Sequence, residues 1–186
     1  MQKSIKMPVL VCNVELCSLT FRPQVETKSN IVSTALFGDG AISYLLDENG
    51  FCKVEDNCEY TWKNTLNYMG WEIENDGLGV VFDKIIPGFV KNNLSKVILK
   101  FNKNQKVGYI LHAGGMKILK AYDSIFKKHS SIKYAREILA KYGNVSSVSV
   151  LLVLELMIKK KLSGEFLMIA LGPGFTLALS KIRLIK

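Results

Sequence analysis

Short apolar runs separated by polar and glycine-rich breaks dominate the chain, and this pattern predicts an α/β protein. The valine-rich run Pro8–Cys12 predicts a strand buried inside a sheet, and Ala41–Leu46 predicts a second strand. Further along, Phe166–Leu171 and Phe175–Ile182 predict two more strands. The sequence Gly172-Pro173-Gly174 between them predicts a hairpin turn.

Apolar positions at helical spacing predict four helices in the second half of the chain. They are Ile86–Phe101, the stretch from Gly115 to Phe126, Ser131–Tyr142 and Val148–Ile158. Pro87 suits a first helical turn, and Gly143 suits a helix end. The last helix is apolar nearly all round, so we expect it at the centre of the core, capped by Ser146 or Ser147.

Two remaining segments complete the predicted order of elements. Val107–Leu111 predicts a short strand that ends at His112, whereas Phe51–Gly77 shows no clear period and is predicted to be irregular. No repeat or linker divides the chain. We therefore expect residues 1–186 to form one α/β domain in the order β, β, irregular segment, α, β, α, α, α, β, β.

The amino-acid composition excludes an intrinsically disordered chain and limits the classes of binding partner. Hydrophobic residues make up 48% of the chain and charged residues 22%, which is typical of a globular protein. The net charge of +9 comes from short lysine clusters without interleaved aromatic residues, which favours a solvated surface over a nucleic-acid site. The longest apolar run, Val148–Ile158, contains Glu155 and is too short to span a bilayer. We expect a cytoplasmic protein without a membrane or nucleic-acid partner.

The four cysteines show no metal-binding pattern. Cys12, Cys17, Cys52 and Cys58 form no CxxC pair and have no histidine pair nearby. This spacing predicts reduced thiols and no metal site.

Five motifs occur in an order that is similar to that of a known family. They are Thr20-Phe21-Arg22, Ala35-Leu36-Phe37-Gly38-Asp39-Gly40-Ala41, His112-Ala113-Gly114-Gly115, Tyr142-Gly143-Asn144-Val145-Ser146-Ser147 and Gly172-Pro173-Gly174-Phe175-Thr176. In this order the chain resembles the C-terminal half of the chalcone synthase family of type III polyketide synthases. The resemblance implies the C-terminal half of a thiolase-like fold, with a mixed sheet and a buried central helix.

The resemblance also implies a reaction and three site residues. His112 resembles the family's catalytic histidine, Asn144 its asparagine and Phe37 its gatekeeper. The family condenses malonyl-CoA onto an acyl-CoA starter without a metal, and coenzyme A arrives only as part of the substrates. Decarboxylation and condensation both place negative charge on a thioester oxygen. Two hydrogen-bond donors aimed at that oxygen, from a histidine and an asparagine, form an oxyanion hole.

Further positions are implied to line the reaction cavity. They are Cys17, Leu19, Thr20, Ser33, Trp71, Val80 and Ser146. The loop Gly172-Pro173-Gly174 is implied to scaffold the site. Trp71 stands where plant members have a glycine, so the starter unit, the number of extensions and the mode of cyclisation are left open.

The family's nucleophilic cysteine precedes the strand predicted at Pro8–Cys12, and none of the four cysteines occupies its position. We therefore expect the chain to need the N-terminal half, or a homodimer, as its partner. A ketoacyl-ACP synthase of the third type is the nearest enzyme alternative, but it usually has an asparagine where this chain has Gly114. A non-catalytic remnant or binding partner is the alternative of another class.

Overall fold

The computed structural model describes residues 7–103 and 107–185. Within these ranges the strands are β1 Val9–Glu15, β2 Gly40–Leu46, β3 Cys52–Thr61, β4 Met69–Glu74, β5 Gly77–Phe82, β6 Gly108–Leu111, β7 Gly164–Gly172 and β8 Thr176–Leu184. The helices are α1 Lys28–Leu36, α2 Ile86–Phe101, α3 Met116–Ile125, α4 Ile132–Tyr142 and α5 Val148–Lys159.

A four-stranded mixed sheet organises the core, with the strand order β3-β8-β7-β6. β6 and β7 are parallel, whereas β8 is antiparallel to both of its neighbours. Alternate side chains of β7 and β8 are buried, among them Leu167, Ile169, Leu177 and Leu179, because successive side chains of a strand point to opposite faces. The helices α2 to α5 supply further core residues, including Leu94, Leu119 and Ile138.

The helix α5 is the central helix of the fold, as its composition predicts. It contacts β6 and β7 of the main sheet, α4, and the pair β1–β2. Val148, Val153 and Met157 are fully buried, while Leu151 and Leu154 are partly exposed. Ser147 stands at its N-terminus but its side chain makes no capping hydrogen bond, so the predicted serine cap is wrong. The Ser149 hydroxyl instead accepts a hydrogen bond from the Val145 amide at 3.0 Å.

The predicted irregular segment Phe51–Gly77 is in fact mostly strand. β3 pairs with β8 from end to end apart from a register shift between Val54 and Asp56, and β4 forms an antiparallel hairpin with β5. β3 is an edge strand and most of its side chains are exposed, so its polar residues hide the alternation that marks a half-buried strand. The sequence patterns also missed α1, whose first turn is capped by the Thr27 hydroxyl.

The prediction that the first strand is buried is wrong. β1 pairs only with β2, in a two-stranded sheet separate from the main one. Leu10 is 64% exposed and Val14 is 62% exposed, because α5 contacts the other face of this pair and none of the described residues covers the outer face. An apolar surface is therefore open on this side of the molecule.

Candidate functional site

One large cavity of about 1350 Å³ brings together the sequence motifs. Its walls come from α1, from the hairpin β4–β5, from the residues that follow β6, from the start of α5 and from the turn between β7 and β8. His112, Asn144 and Phe37 all line it, although up to 107 positions separate them in sequence. The three residues that the motifs single out therefore share one cavity.

His112 lies directly after β6 and is almost fully buried. Its backbone N–H donates to the Ile169 carbonyl of β7 at 2.9 Å, which continues the parallel pairing of the two strands. Burial lowers the pKa of His112 to about 4, although the nearby carboxylate of Glu15 acts in the opposite direction. The imidazole is therefore neutral near pH 7 and carries one N–H donor.

Gly114 leaves the room that the His112 ring occupies. A Cβ atom at position 114 would lie 2.9 Å from the ring atoms Cδ2 and Nε2. The Gly114 carbonyl in turn accepts a hydrogen bond from the Asn144 side-chain amide at 3.4 Å. The histidine ring and the asparagine amide thus both lie next to Gly114.

Asn144 lies in the short connection between α4 and α5. Its side-chain oxygen accepts a hydrogen bond from the Ser146 amide at 3.0 Å, which fixes the orientation of the amide group. Its Nδ2 has one partner among the described residues, the Gly114 carbonyl, so a second N–H is left to bind a ligand.

A backbone bridge holds Phe37 beside Asn144. The Asn144 amide donates to the Leu36 carbonyl at 2.7 Å, and the Gly38 amide donates to the Asn144 carbonyl at 3.1 Å. Gly143 permits this close approach, since it has a φ of +71° and a Cβ there would lie 2.4 Å from the Leu36 carbonyl oxygen. The motifs around Phe37 and Asn144 therefore form one local structure.

Aromatic side chains form another part of the cavity wall. The Phe37 ring makes edge contacts with Trp71, at 6.2 Å between ring centroids, and with Phe82, at 5.7 Å. Trp71 is paired with Val80 across the hairpin β4–β5, and both line the cavity. A bulky tryptophan opposite a small valine gives this part of the cavity its shape.

The other predicted lining residues divide between two cavities. Cys17 and Ser146 line the large one, whereas Thr20 and Ser33 line an adjacent cavity of about 320 Å³, which Cys17 and Phe37 also border. Gly172 and Pro173 of the predicted scaffold loop line the large cavity. Gly174, the third residue of that loop, lies outside the lining of both cavities.

Leu19 lines neither of these two cavities, so its role in lining the reaction cavity stays a prediction. It is 62% exposed and lies in the 3₁₀ turn Cys17–Thr20. Residues three apart share one side of such a turn, and here Cys17 and Thr20 face inward. The intervening Leu19 therefore points outward.

Cys17 is the one cysteine of the described residues that lines the large cavity, and it is poorly suited to act as a nucleophile. Burial raises the pKa of its thiol, and Glu15 and Asp39 raise it further. The thiol is therefore held in its protonated, less reactive form. All four cysteines are free.

Glu15 is a cavity residue that the sequence reasoning missed. Its carboxylate accepts a hydrogen bond from the Ser147 amide at 3.2 Å, at the N-terminus of α5, where the helix dipole favours negative charge. The period of two along β1 puts Glu15 on the covered face with Val11 and Asn13, and this alternation could have identified it.

Two further observations concern metal binding and membrane insertion in the described part of the chain. No three histidine, cysteine, aspartate or glutamate side chains come close enough together there to hold a metal ion. None of the helices in residues 7–103 and 107–185 has the length and apolarity needed to cross a lipid bilayer.

Solved structures show the class of this fold. The chain aligns along its whole length with the C-terminal type III polyketide synthase domain of Steely1, a hybrid type I/III synthase from Dictyostelium, with a TM-score of 0.87. The 1,3,6,8-tetrahydroxynaphthalene synthase of Streptomyces coelicolor A3(2) gives a TM-score of 0.88. The identity is 22% and the chain covers 56% of the other chain in both cases. The fold is thus that of the C-terminal part of a thiolase-like type III polyketide synthase.

The sequence comparisons show the family. Residues 63–185 match the family described as chalcone and stilbene synthases, C-terminal domain, and the chain belongs to that family. It is 35% identical over 188 aligned positions to a Bacillus subtilis (strain 168) protein named "Putative chalcone synthase". The alignment covers 90% of this chain and 52% of that protein. The chain therefore spans about half the length of the relatives it matches. The alternative of a ketoacyl-ACP synthase does not agree with this membership.

Proposed function

We propose that residues 1–186 form the C-terminal catalytic domain of a type III polyketide synthase, an acyltransferase that condenses malonyl-CoA onto an acyl-CoA starter. The observation that carries the proposal is the placement of His112, Asn144 and Phe37 on one cavity. The family supplies the class of reaction. Coenzyme A thioesters act as substrates, and no separate cofactor is part of the proposal.

In this proposal His112 and Asn144 bind the thioester oxygen of the malonyl unit. His112 is neutral at pH 7 because burial lowers its pKa, so it donates an uncharged N–H, and Asn144 contributes its remaining amide N–H. Both donors stabilise the enolate that forms when carbon dioxide leaves, and they stabilise the oxyanion when the enolate attacks the acyl group. Removal of one such donor typically lowers the rate about 100–1,000-fold.

The acyl group needs a nucleophile that the described residues do not provide. Cys17 keeps its proton, and the other cysteines lie on β1 and β3, away from the cavity. We propose that a cysteine from an N-terminal half of the fold is placed beside His112. Before the acyl group is loaded, a thiolate there would raise the pKa of His112 and form an ion pair with the imidazolium. Once the cysteine is acylated it carries no charge, and His112 acts as the neutral donor described above.

The apolar outer face of β1–β2 also supports the proposal that this chain acts together with a partner. Its exposed residues, including Leu10, Val14 and Leu45, form the kind of contiguous apolar surface that marks an interface. We propose that this face packs on the N-terminal half or on the second subunit of a homodimer.

Reconstitution tests the proposal. The chain is co-purified with an N-terminal half that carries the cysteine, and the pair is incubated with labelled malonyl-CoA and an acyl-CoA starter. We expect labelled polyketide from the pair and none from the chain alone. His112→Ala and Asn144→Ala should each lower the rate of product formation about 100–1,000-fold, while His129→Ala, at the half-buried histidine that lines neither cavity, should leave it unchanged. A pair that binds but makes no product would instead favour a non-catalytic partner.

A further inference from the structure

Arg22 makes a dense set of ionic contacts beside the cavity, and none of the assignments above uses them. Its side chain is 8% exposed and binds two carboxylates. Nη1 and Nη2 donate to Glu74 at 2.9 and 2.8 Å, and Nε and Nη2 donate to Asp76 at 3.0 and 2.6 Å. Both carboxylates are therefore held in the two-point geometry that a guanidinium provides.

The two carboxylates belong to the tip of the hairpin β4–β5. This hairpin forms a separate two-stranded sheet, and isolated two-stranded hairpins are marginally stable in water. At its base, Met69 and Phe82 pack against the core, and the Asp83 amide donates to the Tyr68 carbonyl at 2.8 Å. At its tip, the ionic contact with Arg22 attaches it to the rest of the molecule.

The backbone of Arg22 is attached in turn to the first turn of α1. Its carbonyl accepts a hydrogen bond from the buried side-chain amide of Asn30 at 2.7 Å, and the same amide donates to the Val25 carbonyl. α1 leads directly into Phe37. Arg22 therefore links the element that carries Phe37 to the hairpin that carries Trp71.

Gly79 in β5 leaves room for this contact, and Gly77 supplies the positive φ of the turn beside it. A Cβ at Gly79 would lie 2.1 Å from the Glu74 carboxylate oxygen Oε1 and 3.3 Å from Arg22 Nη1. Gly77 has a φ of +138°, and a Cβ there would lie 3.8 Å from the Arg22 Cγ and Cδ atoms. The local sequence of the hairpin thus fits the arginine closely.

We propose that Arg22 is a positioning residue: it clasps the tip of the hairpin β4–β5 and thereby fixes Trp71 against Phe37 at the cavity wall. Arg22 joins the tip of the hairpin to the first turn of α1, while the base of the hairpin is anchored in the core. The consequence for substrates rests on the proposed function. In that function Trp71 lines the cavity without donating to the thioester oxygen, so we expect Arg22 to affect the binding of the starter.

Fluorescence of Trp71 tests the clasp without any enzymatic activity. The chain has two tryptophans, so Trp62→Phe leaves Trp71 as the sole reporter. Arg22→Lys keeps the charge but loses the two-point contacts. Since Trp71 is 47% exposed in the clasped state, release of the hairpin should raise its acrylamide quenching constant by up to about twofold. A faster component should also appear in the anisotropy decay.

Arg183→Lys provides the matched control. Arg183 also binds two carboxylates, Glu55 and Glu165, but its side chain is 49% exposed and lies on the main sheet away from the cavity. It should leave Trp71 unchanged. If Arg22→Lys fails to fold by far-UV circular dichroism, the double variant Glu74→Ala and Asp76→Ala removes the same contacts from exposed positions and should also raise the quenching of Trp71. Unchanged quenching and anisotropy in the folded variant would overturn the proposal.

Kinetics of the reconstituted pair test the consequence for substrates. Arg22→Lys should raise the KM for the starter at least several-fold and leave the rate of malonyl-CoA decarboxylation unchanged. An unchanged KM for the starter in an active pair would overturn the specificity role. A wild-type pair without product would contradict the proposed function instead, and the fluorescence result would still decide whether the clasp exists.

Discussion

Replacement of His112 by glutamine tests the electrostatic state of the site in the chain by itself. Folding buries the imidazole and lowers its pKa from 6.5 to about 4. As the pH falls through this window, the unfolded chain takes up the proton first, so the contribution of His112 to stability is complete above about pH 6.5 and is lost towards pH 4. Between pH 7 and pH 5 these two pKa values correspond to a loss of about 2 kcal/mol in the free energy of unfolding.

Urea unfolding at the two pH values, followed by circular dichroism at low protein concentration, measures this difference. The wild-type chain should lose about 2 kcal/mol more than His112→Gln between pH 7 and pH 5. His129→Gln removes the other histidine, which is half-buried and hydrogen-bonded to Ser131, and should lose the same free energy as the wild type. A variant His112→Gln whose stability falls as steeply as that of the wild type would refute the assignment of a buried, neutral imidazole.

Three further predictions follow from the structure. Gly143→Ala should lower the free energy of unfolding by about 2 kcal/mol or more, because of its positive φ and the contact with the Leu36 carbonyl. Gly88→Ala, with open space around it, should be neutral or slightly stabilising by the same urea assay. Without an N-terminal half, the chain should bind a hydrophobic dye and self-associate in sedimentation experiments, and a monomer that binds no dye would contradict an open interface on β1–β2. Acyl-CoA should not label Cys17, because burial raises its pKa; a stable thioester found there by mass spectrometry would refute this.

The sequence patterns predicted the second half of the fold well because its elements are strongly periodic or continuously apolar. The bounds of α2 match the predicted range Ile86–Phe101, and α5 lies at the centre as its composition indicates. The edge strand β3 could not be predicted in this way, since most of its side chains are exposed and polar residues break the pattern.

The sequence motifs identified individual residues of the candidate site but not the contacts between them. The motifs pointed to His112, Asn144 and Phe37, but spacing alone could not show the backbone bridge between Leu36, Gly38 and Asn144, because it joins segments more than 100 positions apart. The clasp of Arg22 on Glu74 and Asp76 was also invisible, since long-range ion pairs leave no period in the sequence.

The order of the main sheet has a consequence for the synthesis of this chain. β8 comes last among the described elements, yet it lies between β3 and β7 and supplies buried residues such as Leu177 and Leu179. β3 can therefore pair with β8 only after more than 100 further residues have been synthesised. Such long-range pairing slows folding and leaves apolar surface exposed in the meantime. We expect the nascent chain to depend on chaperones until β8 has been made.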